Sequence, residues 1–198
     1  MNEPDFYACA TLGFRQWHLS LDATEGVAFL EGLLKYGFDH PHRRWDLERP
    51  NRAECLHARF APRSVPEGHG EVPGIGCSCG FYAHARRQGS NSDTTVLRAG
   101  GVVAGWGTLE LHEGGFRCSV AKVLALFAPD PRQRHVDHAG VAPRKWAALE
   151  KMCADAAVPL LPPDALRQDE ALRRYAYERD LALLEDQLVE RGRISGDP

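Results

Sequence analysis

The chain has 198 residues, 43% of them hydrophobic and 26% charged, with a formal net charge of -3 at pH 7. That length suits one domain, or a domain with a small appendage, able to bury its own core, and the charge gives no general pull toward nucleic acid or an anionic membrane. The opening MNEPDFYACATLGF has neither the basic start nor the apolar run of a secretory signal, and no stretch reaches the roughly 18 apolar residues of a membrane span, so the expectation is a cytoplasmic protein. In that reducing setting the six cysteines, Cys9, Cys55, Cys77, Cys79, Cys118 and Cys153, read as buried thiols or metal ligands rather than as three disulfides.

Residues 11–21, TLGFRQWHLSL, alternate in a partial period of two rich in aromatics and read as a strand. Asp22 and Thr24 sit where a cap belongs, and Phe29, Leu30, Leu33 and Leu34 recur at helical spacing, so a short helix is expected over 24–36. The polar run HPHRRWDLERPNR reads as a loop with one buried anchor, Trp45. From Cys55 to Gly80 the glycines and prolines argue against regular elements. A loop of that length inside a compact domain needs an organiser, and a bound metal is a common one.

QGSNSDTT, residues 88–95, is a polar connection expected to move. VVAGWGTLELHEGGFRCSV then reads as two strands around a turn at Glu113–Gly115, with Gly105 and Gly107 flanking Trp106 as in a bulge or a tight backbone approach. AKVLALFA continues the second strand. Pro143 introduces a helix that places Trp146, Leu149, Cys153 and Ala156 on one face, which makes Cys153 a core thiol. Pro159, Pro162 and Pro163 end it, and a long helix is expected over 165–190, with Tyr177, Leu181, Leu184 and Leu188 on one face.

The chemistry concentrates in the cysteines. Cys77 and Cys79 form a C-x-C pair between Gly76 and Gly80, tighter than the usual C-x-x-C knuckle, yet glycines let the backbone turn beneath one ion. Cys55 and His69 lie upstream in the loop, giving C-x13-H-x7-C-x-C. The expectation is a structural Cys3His zinc site made of Cys55, His69, Cys77 and Cys79. His57, His84, His112 and Cys118 compete with His69 for the fourth place, and an iron–sulfur cluster on the three cysteines plus Cys118 is the other metal reading. Thiol chemistry by the C-x-C pair, activated by His84 or Arg86, stays open, although no Cys–His–Asp pattern accompanies it.

Elsewhere the ordinary readings prevail. His112-Glu113 begins HEGG, which lacks the second histidine of HExxH and reads as a hairpin turn. The pairs His40/His42 and His135/His138 fall in polar loops and read as solvated surface. Arg15, Trp17, Trp45, Tyr82, Trp106, Phe116 and Arg117 interleave base and aromatics as a single-strand nucleic-acid platform does, but aromatics on strands are usually core. Arg167, Arg173, Arg174 and Arg179 are balanced by acids and suit a solvated face or an oligomer contact.

Taken together, Gly13-Phe14-Arg15, Trp17, Trp45, Cys55, the run Cys77, Cys79, Gly80, Tyr82, Ala83, then Trp106-Gly107, His112, Gly115 and Arg117 resemble a group of actinobacterial and phage proteins that have no assigned activity. In that group a C-x-C-G-x-Y-A segment precedes W-G and a basic aromatic hairpin. The resemblance covers residues 13 to about 129 and implies a shared fold and a shared metal site, not a reaction.

The resulting expectation is an α+β fold: a β-rich body over 1–129, as a small antiparallel sheet or partial barrel with a zinc-tied loop, a helical region over 140–191, and a tail over 192–198. The function expected is a zinc-stabilised binding or adaptor module that presents Tyr82, Arg86 and Arg87 to a protein partner, with self-association through the C-terminal helix as a further contact. A metal-dependent hydrolase, a thiol-dependent enzyme and a nucleic-acid binder are the alternatives.

Overall fold

The computed structural model describes residues 10–22, 26–32, 44–55, 72–74, 77, 79–87, 97–128, 141–167, 171 and 174–175. Its framework is a long hairpin: β6 (Arg98–His112) and β7 (Gly115–Phe127) pair from Gly101↔Leu126 to His112↔Gly115 around a turn at 113–114. Both faces of this hairpin are apolar. Val103, Phe116, Cys118 and Val123 enter one buried cluster, and Val102, Ala104, Trp106, Val120 and Leu124 enter another, which is what a strand pair covered on both sides requires.

The two glycines around Trp106 do different work. A Cβ on Gly105 would stand 2.3 Å from the Phe116 ring and 2.7 Å from the Cys118 sulfur, so the absent side chain is the space into which both pack. Gly107 has φ +79°, and the pairing shifts register between Trp106 and Leu109; the bulge expected there bends the hairpin.

On one side β6 pairs with β1 (Thr11–Leu21), from Thr11↔Gly105 to His18↔Arg98. β1 continues into a hairpin with β2 (Ala28–Gly32), and β2 carries the two-residue β3 (Arg44–Trp45) at its outer edge. Thus the helix expected over 24–36 is not formed at 28–32, where the chain is a strand. Ala28 and Leu30 alternate inward, with Leu30 opposite Leu19 and fully buried. Pairing along β1 overrides a local spacing that also fits a helix, and Asp22 accepts the Gly26 N–H at 2.9 Å through its carbonyl in the hairpin turn instead of capping a helix. Residues 33–36 of that expectation lie outside the described residues, as does the polar connection at 88–95.

β4 (Asn51–Arg52) and β5 (Phe81–His84) line the other side of β7. β5 also touches β1 at Phe14↔His84, so the path β6–β1–β5–β7 returns to β6 and the sheet curls on itself. Inside the curl, Trp17 is fully buried and meets Trp45 edge-on at 5.3 Å. The Arg15 guanidinium lies over Trp45 at 4.7 Å and donates to the Tyr82 carbonyl, a cation–π contact that also ties β1 to β5.

α1 (Val141–Asp155) buries Trp146, Leu149 and Cys153 in the same cluster as Trp17, Leu19 and Leu30, at the spacing of three and four read from the sequence. Lys145 donates to the Leu19 carbonyl at 3.2 Å. The helix ends before the prolines: Val158 N–H reaches the Cys153 carbonyl at 2.9 Å and Ala157 N–H the Ala154 carbonyl at 3.2 Å, with Ala157 at φ +52°, a Schellman ending with alanine where glycine is favoured. Residues 160–161, between the prolines, form β8 (Leu160–Leu161), parallel to β7, so the sheet is mixed.

The fold is α+β and β-rich. The long helix expected over 165–190 is not yet formed at 163–166, a turn with Leu166 at φ +57°; Ala171, Arg174 and Tyr175 are helical, and Tyr177, Leu181, Leu184 and Leu188 lie outside the described residues. Among the described residues no helix is long and apolar enough to cross a membrane.

Candidate metal centre

One strand, β7, positions both halves of the centre. β4 runs antiparallel to it through Asn51↔Ala121 and Arg52↔Val120, and Ala53 N–H extends the pairing to the Ser119 carbonyl at 2.8 Å. β5 runs antiparallel to the same edge from Phe81↔Cys118 to His84↔Gly115. The exit of β4 and the entry of β5 therefore meet beside residues 118–119, and the connection between them leaves and returns at one point. Cys55 lies just after the first strand and Cys77 and Cys79 just before the second, at the neck of that connection.

The sulfurs of Cys55, Cys77 and Cys79 lie within 4.8 Å of one another, and Cys55 Sγ is 3.7 Å from Cys77 Sγ. None of the five described cysteines is in a disulfide. Two sulfurs bound to one tetrahedral ion at about 2.3 Å stand about 3.8 Å apart, so the closest pair already has the spacing of a coordination edge. Cys79 is buried, whereas Cys55 and Cys77 are partly exposed. The Gly74 N–H donates to Cys79 Sγ at 3.2 Å, and Cys77 N–H donates to the Gly74 carbonyl at 3.1 Å, so Gly74 is bonded to both cysteines of the pair. Burial pushes the Cys79 thiol up to about 11, the Gly74 N–H acts the other way, and Cys77 adds to the rise. A thiol held protonated in this way is the opposite of a nucleophile poised as thiolate; a dication would supply the missing charge compensation.

Arg117, on β7, organises the neck from below. It is a buried charged residue, and its guanidinium donates to the Cys77 carbonyl, to the Cys79 carbonyl at 3.3 Å and to the Tyr82 hydroxyl at 3.4 Å. Its Nε and Nη2 both donate to Glu110 Oε2, the former at 2.8 Å. Glu110 stands opposite Arg117 across the β6–β7 hairpin. The interleaved base and aromatics are accordingly interior: Trp17, Trp45, Trp106, Phe116 and Arg117 are buried, and of that set Tyr82 is exposed. The sequence reading missed the role of Arg117. Its signal was positional, since Glu110 and Arg117 are equidistant from a turn centred on 113–114.

Of the four expected ligands, the structure brings together Cys55, Cys77 and Cys79, while His69 lies outside the described residues, as does its competitor His57. The remaining competitors do not join the three sulfurs. Cys118 points into the core beneath Gly105, with its thiol pushed by burial up to about 12. His84 lies at the far end of β5, opposite Phe14 and Gly115; burial and then the Arg15 charge hold its imidazole below the usual value. His112 is exposed at the hairpin end, 3.5 Å from Glu110, beside the turn at 113–114. Arg86 is exposed, while Arg87 turns inward over the Phe127 ring at 3.8 Å and donates to the Ala165 carbonyl at 3.1 Å. The histidine pairs 40/42 and 135/138, with Arg173 and Arg179, lie outside the described residues.

No family model matches the chain, and no solved structure matches it.

Proposed function

We propose that the protein is a zinc-stabilised binding module in which a metal ion closes the neck of the connection between β4 and β5. The observation that carries this reading is the convergence of Cys55, Cys77 and Cys79, with the closest sulfurs 3.7 Å apart. Thiolates select soft or borderline ions, and zinc is the usual choice for a closed tetrahedral site. His69 is the proposed fourth ligand, since it belongs to the connection that the neck closes.

The metal's role is structural. The sequence between the two strands is rich in glycine and proline and offers few large apolar side chains, so a tie at its base supplies what packing would otherwise have to. The tie holds Tyr82, 41% exposed, beside the centre, and Arg86 is exposed just beyond the far end of β5; these side chains form the proposed contact for a protein partner. Zinc K-edge absorption on the loaded chain tests the assignment. Three sulfurs and one imidazole nitrogen are expected, with His69→Ala replacing the nitrogen by a light solvent ligand. A water oxygen in the wild-type shell would instead mark an open, hydrolytic centre.

A further inference from the structure

The three thiols are not equivalent, and the difference has a chemical consequence. Cys55 and Cys77 are partly exposed and their sulfurs lie 3.7 Å apart, close enough that a disulfide bond of about 2.05 Å needs only a small closing movement. Cys79 is buried, its sulfur accepts the Gly74 N–H and its carbonyl is held by Arg117. The remaining described cysteines, Cys118 and Cys153, are buried in the core. Among the described cysteines, an oxidant arriving from solvent therefore meets one pair.

We propose that Cys55 and Cys77 form a peroxide-sensitive disulfide that replaces the metal as the tie at the neck. The thiolate of one cysteine attacks a peroxide oxygen, breaking the O–O bond, to give a sulfenic acid and, after protonation, water. The second sulfur then attacks the sulfenic sulfur, forming the S–S bond and releasing a second water. Two thiols are oxidised and one hydrogen peroxide is reduced to two waters. With both sulfurs consumed, Cys79 cannot hold the ion with one other ligand, and the metal leaves as a dication. The neck remains covalently joined at two of the positions that the metal joined, one on each side of the connection, so the fold survives the exchange.

Metal release rests on the zinc reading above; disulfide formation does not. The test uses the full chain, first zinc-loaded and then reduced and metal-free, each treated with hydrogen peroxide. Peptide mapping should give Cys55–Cys77 as the dominant cross-link in both. The loaded sample should lose its zinc in step with the cross-link, as read by a chromogenic indicator, and a thiol reductant should restore binding. The oxidised chain should melt above the reduced metal-free chain. Untouched thiols, a Cys77–Cys79 bond or sulfinic acid as the main product overturns the proposal. A chain that binds no zinc but forms the Cys55–Cys77 bond overturns the zinc reading and leaves the disulfide standing.

Discussion

Arg117→Met removes the cation beneath the neck while keeping much of its apolar stem. Four groups lose a donor: the carbonyls of Cys77 and Cys79, the Tyr82 hydroxyl and the Glu110 carboxylate. Glu110 is 43% exposed and Tyr82 41% exposed, so water takes over for both, and a solvent-screened pair contributes little by itself. The loss concentrates in the two carbonyls. Hydrogen bonds from a charged donor contribute about 1.5–3 kcal/mol each, and at the lower end two of them give about 3 kcal/mol. Glu110→Gln keeps both carbonyl bonds and should cost about 1 kcal/mol or less. Equilibrium urea unfolding of the zinc-loaded chains reads both values. If Arg117→Met stays within about 1 kcal/mol of wild type, or if Glu110→Gln costs more than Arg117→Met, the carbonyl clamp is refuted and the ion pair is what matters.

Gly105→Ala drives a methyl to 2.3 Å from Phe116 and 2.7 Å from Cys118 and should cost about 3 kcal/mol or more; thermal melts should show part of this recovered by adding Phe116→Leu. Ala157→Gly removes a left-handed alanine at the end of α1 and should stabilise by about 1 kcal/mol in the same melts. Cys118 gives an alkaline signature. Its thiol ionises near 9.0 when unfolded but is held up to about 12 by burial when folded, so its stabilising effect is complete below pH 9 and is lost as pH rises toward 12. Near pH 10.5 the loss should approach about 2 kcal/mol, and unfolding curves of Cys118→Ala should fall less steeply with pH over that window; an equal slope would contradict the burial argument.

Legibility in the sequence followed the range of the interactions. The hairpin of β6 and β7 could be read because its turn residues and alternation are local, and GWG pointed to a bulge or a close approach, of which the structure has both. The inner face of α1 could be read because Trp146, Leu149 and Cys153 repeat within one element. β2 could not, because Phe29, Leu30, Leu33 and Leu34 satisfy a helical spacing as well as a strand, and the choice is made by β1, which lies outside any local window. β8 was hidden between prolines and exists through pairing with β7. At the candidate metal centre, residue chemistry singled out Cys55, Cys77 and Cys79, whereas the reason they meet is register: β4 and β5 share one edge of β7. Arg117 read as a surface base because burial of an arginine depends on the carbonyls and the carboxylate that surround it.

The central claim is that three converging thiols hold a zinc ion, and elemental analysis of the chain purified without added metal tests it most directly. About one zinc per chain is predicted for the wild type, with the zinc lost in Cys77→Ser together with a fall in melting temperature matching that caused by chelator. A wild-type chain with no bound metal, and a melting temperature unmoved by either zinc or chelator, would contradict it.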